Sequence, residues 1–243
     1  MQAGVVYARE FTETTPTGRS IERTVSLMAS GNLWRDALVM YDRQTKSLWT
    51  QHDGRAIRGS SQEAGRRLDA LPSEKTTYAA ARLRYPNAKV LQKKAGVLGK
   101  GTSSIYDDYL ARTDQLGLFG TEVPTDEIAG KELVIGVVLD NPHALSVRAL
   151  EAEGGLNLEL DGGTFFAVAL ADGRDGRLFA TERRIAVESP WVLHDPEGDT
   201  RWDASTGEVL SGAGAPLQVV PARVQAWFAW YPDFPSSTVW AGP

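Results

Sequence analysis

Apolar positions along the chain fall into short runs broken by turn residues, not into the long three-and-four-spaced stripes of extended helices. Leu156, Leu158 and Leu160 alternate with Asn157 and Glu159, the period of a strand with one buried face. Residues 132–139 form a strongly apolar, β-branched run and predict a strand buried on both faces. Residues 164–170 predict a third such strand, and residues 4–7 a short one near the start. Helical signals are brief. Ser73 is a suitable N-cap for residues 77–83, where alanines favour helix, and Val224, Trp227 and Phe228 make an i, i+3, i+4 stripe. Tyr85-Pro86 ends the first helix, and Tyr231-Pro232 or Phe234-Pro235 the second. The pattern predicts a mainly β chain with short helices, of the α+β class.

One arrangement occurs twice. Asp42, Trp49, Gly54 and Gly59 keep the same mutual spacing as Asp195, Trp202, Gly207 and Gly212. After a small difference in length, Leu68, Pro72, Tyr78, Pro86 and Val90 align with Leu217, Pro221, Trp227, Pro235 and Val239. Residues 4–9 lie more weakly on residues 176–181. Each unit reads as an Asp-bearing turn, a strand carrying the tryptophan, a tight hairpin at Asp53-Gly54 or Thr206-Gly207, a return strand, a proline and a short helix. Val90-Leu91 and Val239-Trp240 then read as exit strands. The expectation is one globular domain over 1–243, built of two diverged repeats at about 4–92 and 164–241 with a connecting segment 93–163, the two indoles facing a shared core. Residues 95–128 read as a long surface excursion with one helical turn at 106–110.

The formal net charge of −5 favours solubility and argues against a nucleic-acid partner. Basic residues dominate 55–100, among them Arg66, Arg67, Lys75 and Arg84, and acids dominate 107–161. The two stretches are either solvated faces or face each other. The absence of cysteine removes disulfide and thiol chemistry from this chain. No apolar run reaches the ~20 residues of a membrane-spanning helix, and the first residues do not read as a signal peptide.

The segments Ser30-Gly31-Asn32-Leu33-Trp34, Leu38-Val39-Met40-Tyr41-Asp42 and Ser47 to Gly59 resemble a prokaryotic family known as domain of unknown function 3179. Tyr106-Asp107-Asp108-Tyr109, Val134-Ile135-Gly136-Val137 and the closing Trp202, Gly207, Gly212 and Pro235 continue the likeness over nearly the whole chain. The resemblance implies a shared fold and no established activity. It also implies a Cys-x-x-Cys-type pair directly before the strand at residues 4–7, so either this member lacks that pair or it lies upstream of Met1, together with an export leader.

Candidate chemistry is sparse. Trp49, Gln51, His52 and Asp53 sit together at a hairpin and are the candidate ligand-binding residues, with His52 a weak candidate for a metal. Alternation along a strand sends His52 and Asp53 to opposite faces unless the turn reorients one, and a solvated turn histidine is the commoner case. His143 and His194 lack ligand spacing such as His-Glu-x-x-His. Gly99-Lys100-Gly101-Thr102-Ser103-Ser104 falls short of a phosphate loop, and the adjacent acids Asp107-Asp108 and Asp126-Glu127 read as solvated. Trp34, Trp191 and Trp240 fit packing better than sugar stacking. The leading expectation is a binding or structural domain with its ligand in the groove between the repeats, and no cofactor or partner is named. The alternatives are a metal or redox protein with upstream cysteines, and a hydrolase using His52 with an acidic partner.

Overall fold

The computed structural model describes residues 4–14, 17–71, 73, 75–90, 109, 111–112, 115–117, 120–170 and 173–243. Among them the chain is mainly β, with four short helices. The central sheet is mixed. Its order is Arg223–Ala226, Leu133–Val138, Pro142–Ser146 and Thr238–Trp240, and only the last pair runs parallel. Val134 and Ile135 are fully buried in it, as the continuous apolar run requires. Gly136 has a packing reason: a Cβ there would run into the Trp230 ring, which the helix Trp227–Trp230 lays on the sheet. Ser146 starts the helix Val147–Glu153, its Oγ accepting the Ala149 amide at 3.0 Å, and Gly154 stops it with φ 70°. A second sheet, Leu156–Leu160, Gly163–Leu170, Asp175–Ala180 and Gln218–Val219, is antiparallel throughout.

Two four-stranded meanders complete the frame. One is Leu27–Trp34, Ala37–Asp42, Leu48–Thr50 and Ala56–Arg58; the other is Ala186–Ser189, Val192–His194, Arg201–Asp203 and Val209–Ser211. Trp49 lies opposite Met40 and Ala56, and Trp202 opposite Leu193 and Val209, with a register shift just before each indole. Gly54 and Gly207 have φ of 68° and 73°, and Gly59 and Gly212 of 88° and 90°. The Leu68 amide donates to the Gly54 carbonyl at 2.9 Å, and the Leu217 amide to the Gly207 carbonyl at 2.8 Å. Tyr7, paired with Ala70, rests its ring against Gly54, and Phe179, paired with Val219, rests its ring against Gly207.

Several expectations need correction. The two indoles do not share a core. Trp49 packs with Val25, Ala56 and Leu68, and Trp202 with Phe166, Phe179, Leu193 and Leu217, so each ring is enclosed in a separate cluster. Their N–H groups also differ in partner: Trp49 donates to Asp42 Oδ2 and Trp202 to the Ala215 carbonyl, both at 2.9 Å. Val224 lies on a strand opposite Ile135, so the stripe it suggested is helical only from Trp227 onward. The two hairpins close through the longer loops 51–55 and 204–208, with the glycine as the left-handed residue. Val90 is exposed and outside any strand, and Leu91 lies outside the described residues. Much of the 95–128 stretch, including 101–108, is also outside them, although Tyr109 is helical. The basic stretch does not pair with the 107–161 acids among the described contacts: Arg66 meets Glu13, Arg67 meets Asp53 and Arg84 meets Asp203.

A Cβ at Gly54 would come within 2.7 Å of the Leu68 carbonyl oxygen, and one at Gly207 would collide with that of Leu217. Backbone cannot swing aside as a side-chain tip can. Gly54→Ala and Gly207→Ala are therefore expected to cost about 2–5 kcal/mol each in urea unfolding, steric clash adding to left-handed strain. Gly18→Ala, at φ 79° in open space, is the control and should cost only about 1 kcal/mol.

Candidate functional site

The hairpin loop 51–55 disperses the four residues that the sequence groups together. Trp49 is enclosed completely. Gln51 uses its backbone: its carbonyl accepts the Tyr7 hydroxyl at 2.7 Å and its amide donates to Leu38. Asp53 folds back on its own turn, accepting from the Thr50 hydroxyl, the Arg55 amide and Arg67 Nη2 at 2.8 Å. Burial alone would raise its pKa, but these donors outweigh burial and hold the carboxyl below its usual range. His52 turns the other way. Its buried Nδ1 lies 2.9 Å from Asp233 Oδ2, off the line of a well-formed hydrogen bond. Arg35 reaches the same carboxylate through Oδ1 at 3.1 Å and the Pro232 carbonyl at 2.7 Å. His52 and Asp53 thus serve different partners, as strand alternation implies.

The remaining histidines stay apart from this contact. His143 Nε2 is 3.1 Å from Asp161 Oδ2, and the Asn141 side chain, the Asn141 amide and His143 together lower Asp161 to about 2. His194 faces Arg201 and Ala186 across the second meander. Among the described residues no group of three or more His, Asp or Glu side chains is placed to hold a metal ion. Asp126 and Glu127 are exposed, and residues 99–104 and Asp107-Asp108 lie outside the described residues.

A cleft of about 200 Å³ opens elsewhere, lined by Val5, Ser73, Lys75, Asp175, Arg177 and Arg223 with their neighbours. Asp175 is buried, and its Oδ2 accepts the Lys75 backbone amide at 2.6 Å and Arg177 Nη1 at 3.1 Å. Arg177 is tied further, through Nε to the Ser205 carbonyl and through Nη1 to the Gly176 carbonyl. Burial pulls the Lys75 ammonium below its normal pKa, Asp175 opposing and Arg174 adding to the effect. Burial also pushes Tyr7 up to about 12, with Arg223 at its hydroxyl pulling the other way. One polar atom of this lining is left unmatched: Arg223 Nε is buried without a hydrogen-bond partner. Buried polar groups are normally paired, so an orphaned guanidinium nitrogen in the wall of a cavity points to a missing partner.

A second cleft, about 380 Å³, lies between Trp227, Tyr231 and the 124–128 loop. No orphaned buried atom belongs to its lining. The first cleft is therefore the stronger site. Sequence reasoning singled out none of Asp175, Arg177 and Arg223, and registered Lys75 only as part of a basic run. The one local signal was an acid and an arginine opening an otherwise apolar strand at Asp175–Ala180.

Tyr7 offers a test. Its folded pKa of about 12 stands above the unfolded value near 10, so its contribution is complete below pH 10 and is lost as pH rises toward 12. Tyr7→Phe is expected to remove about 1 kcal/mol at neutral pH, the net value of one hydrogen bond. It should also remove up to about 2–3 kcal/mol of the wild-type stability loss between pH 10 and 12, read from urea unfolding in both proteins.

Residues 2–237 match the sequence family described as Protein of unknown function (DUF3179). No curated protein and no solved structure matches the chain. No helix among the described residues is long and apolar enough to cross a membrane. With a match that spans almost its full length, the chain belongs to the DUF3179 family of proteins of unknown function.

Proposed function

We propose that this protein is a binding scaffold made of two diverged copies of one unit in a single domain, and that its ligand sits in the cleft between them. The carrying observation is the origin of the cleft's lining. Val5, Ser73 and Lys75 come from the first proposed unit, and Asp175, Arg177 and Arg223 from the second. The matched φ angles at Gly54 and Gly207, and at Gly59 and Gly212, support common descent of the units. So do the equivalent closures by Leu68 and Leu217. A site at such a seam needs both units folded and docked, which fits polar contacts that cross it: Arg84 with Asp203 at 2.7 Å and Arg35 with Asp233. A concave site at such a seam, with a few polar groups converging on it, is a usual setting for small-ligand recognition.

A small-molecule screen read by thermal unfolding tests this. A ligand at about 100 times its Kd adds about 2.7 kcal/mol, or some 5–10 °C for a chain of this size. Ser73→Trp and Gly4→Trp each place an indole in the cleft mouth, from an exposed position and from one with no heavy atom close by. Stabilising compounds are expected to lose their effect in both variants. Undiminished shifts in both would place binding elsewhere and overturn the proposal.

A further inference from the structure

We infer that the cleft between the units takes a small oxyanion, a carboxylate or phosphate group, held by Arg223 and Lys75. The inference rests on the cleft reading above and adds the chemistry of the occupant. Charge decides the sign. Lys75, Arg177 and Arg223 bring three cations to the lining, against the one acid Asp175. Asp175 is already matched with Arg177 at 3.1 Å, and both Arg177 Nε and Nη1 are committed to carbonyls. Arg177 therefore builds the wall and is not the gripping group.

Arg223 is different. Among the described residues no carboxylate pairs with it, and its Nε is buried with no acceptor. Its polar neighbour is the Tyr7 phenol, which stays neutral through the physiological range and so supplies no compensating charge. A guanidinium offers N–H donors in a fixed fork that matches the paired oxygens of a carboxylate or phosphate. An oxyanion lying against the Nε edge would satisfy the orphan and offset the charge together. The Lys75 ammonium on the same cleft supplies a second cation.

Size bounds the occupant. A cavity of about 200 Å³ is smaller than the ~300–1,000 Å³ usual for drug-sized ligands and cofactors, and a water takes ~30 Å³. Phosphate, sulfate or a carboxylate of a few carbons fits within it. Burial also matters, because an ion pair shielded from solvent is screened less by salt than one on the surface.

The test is titration of the full chain with inorganic phosphate, sulfate, malonate and succinate at matched ionic strength, followed by calorimetry and thermal unfolding. At least one is expected to bind saturably and raise the unfolding temperature beyond chloride controls. Arg223→Met should weaken that binding at least tenfold. Because Arg223 also contacts Tyr7, Lys75→Met is the second variant, expected to weaken binding by a similar factor, with Lys75→Arg recovering most of it. Preference among the four probes distinguishes a phosphate site from a carboxylate site. Absence of saturable binding by every probe, or binding unchanged in both Met variants, overturns the inference. If uncharged compounds alone bind, and Ser73→Trp abolishes them, the oxyanion assignment fails while the cleft reading stands. If no compound binds in a way that Ser73→Trp and Gly4→Trp disturb, both fail.

Discussion

Each tryptophan hairpin is shut by a leucine amide that donates into the carbonyl of a left-handed glycine, and the rest of the molecule is positioned from that closure. The leucine carbonyl comes so near the glycine that a β-carbon cannot be accommodated. This fixes the path of the next strand, Ala70–Leu71 in one case and Gln218–Val219 in the other. That strand in turn sets the ring opposite it, Tyr7 or Phe179, against the same glycine. Here the two meanders diverge in chemistry while agreeing in shape. Phe179 ends in hydrocarbon and completes a dry cluster. Tyr7 ends in a hydroxyl that donates to Gln51 and meets Arg223, so the polar cleft develops on its side.

The apolar clusters and the charged contacts divide the labour of assembly. Trp49 and Trp202 each organise a local cluster, and neither cluster needs the other for its enclosure. Contacts between early and late parts of the chain include several polar ones: Arg84 on Asp203, Lys75 backbone on Asp175, and His52 and Arg35 on Asp233. Half-buried ion pairs add little net stability, since desolvation offsets most of the attraction. They are costly to break singly, however, because the surviving charge is left without its partner. Such contacts fix how early and late parts of the chain meet more than they deepen the energy well.

What could be read in the sequence follows from how local each signal is. Strand alternation at Leu156–Leu160, the apolar run of Leu133–Val138 and the Trp-to-Gly spacings all concern near neighbours, and all correspond to elements of the fold. Val224 misled because an i, i+3 coincidence with Trp227 straddles a strand and a helix, and edge pairing with Ile135 decided its state. The grouping of Trp49, Gln51, His52 and Asp53 was a grouping in sequence alone; a hairpin loop sends adjacent side chains to different partners. The cleft was invisible for the complementary reason. Lys75, Asp175 and Arg223 come from three distant stretches, and nothing in the spacing of any one stretch announces the others.

The mixed central sheet has a bearing on biosynthesis. Leu133–Val138 and Pro142–Ser146 pair as a hairpin of near neighbours, but both flanking strands, Arg223–Ala226 and Thr238–Trp240, come much later in the chain. At about 5–20 residues per second, translation leaves the two edges of that hairpin uncovered for several seconds. Uncovered apolar edges are templates for pairing with other chains. The strand buried deepest in the finished sheet thus depends for both its cover and its pairing on residues near the far end of the sequence.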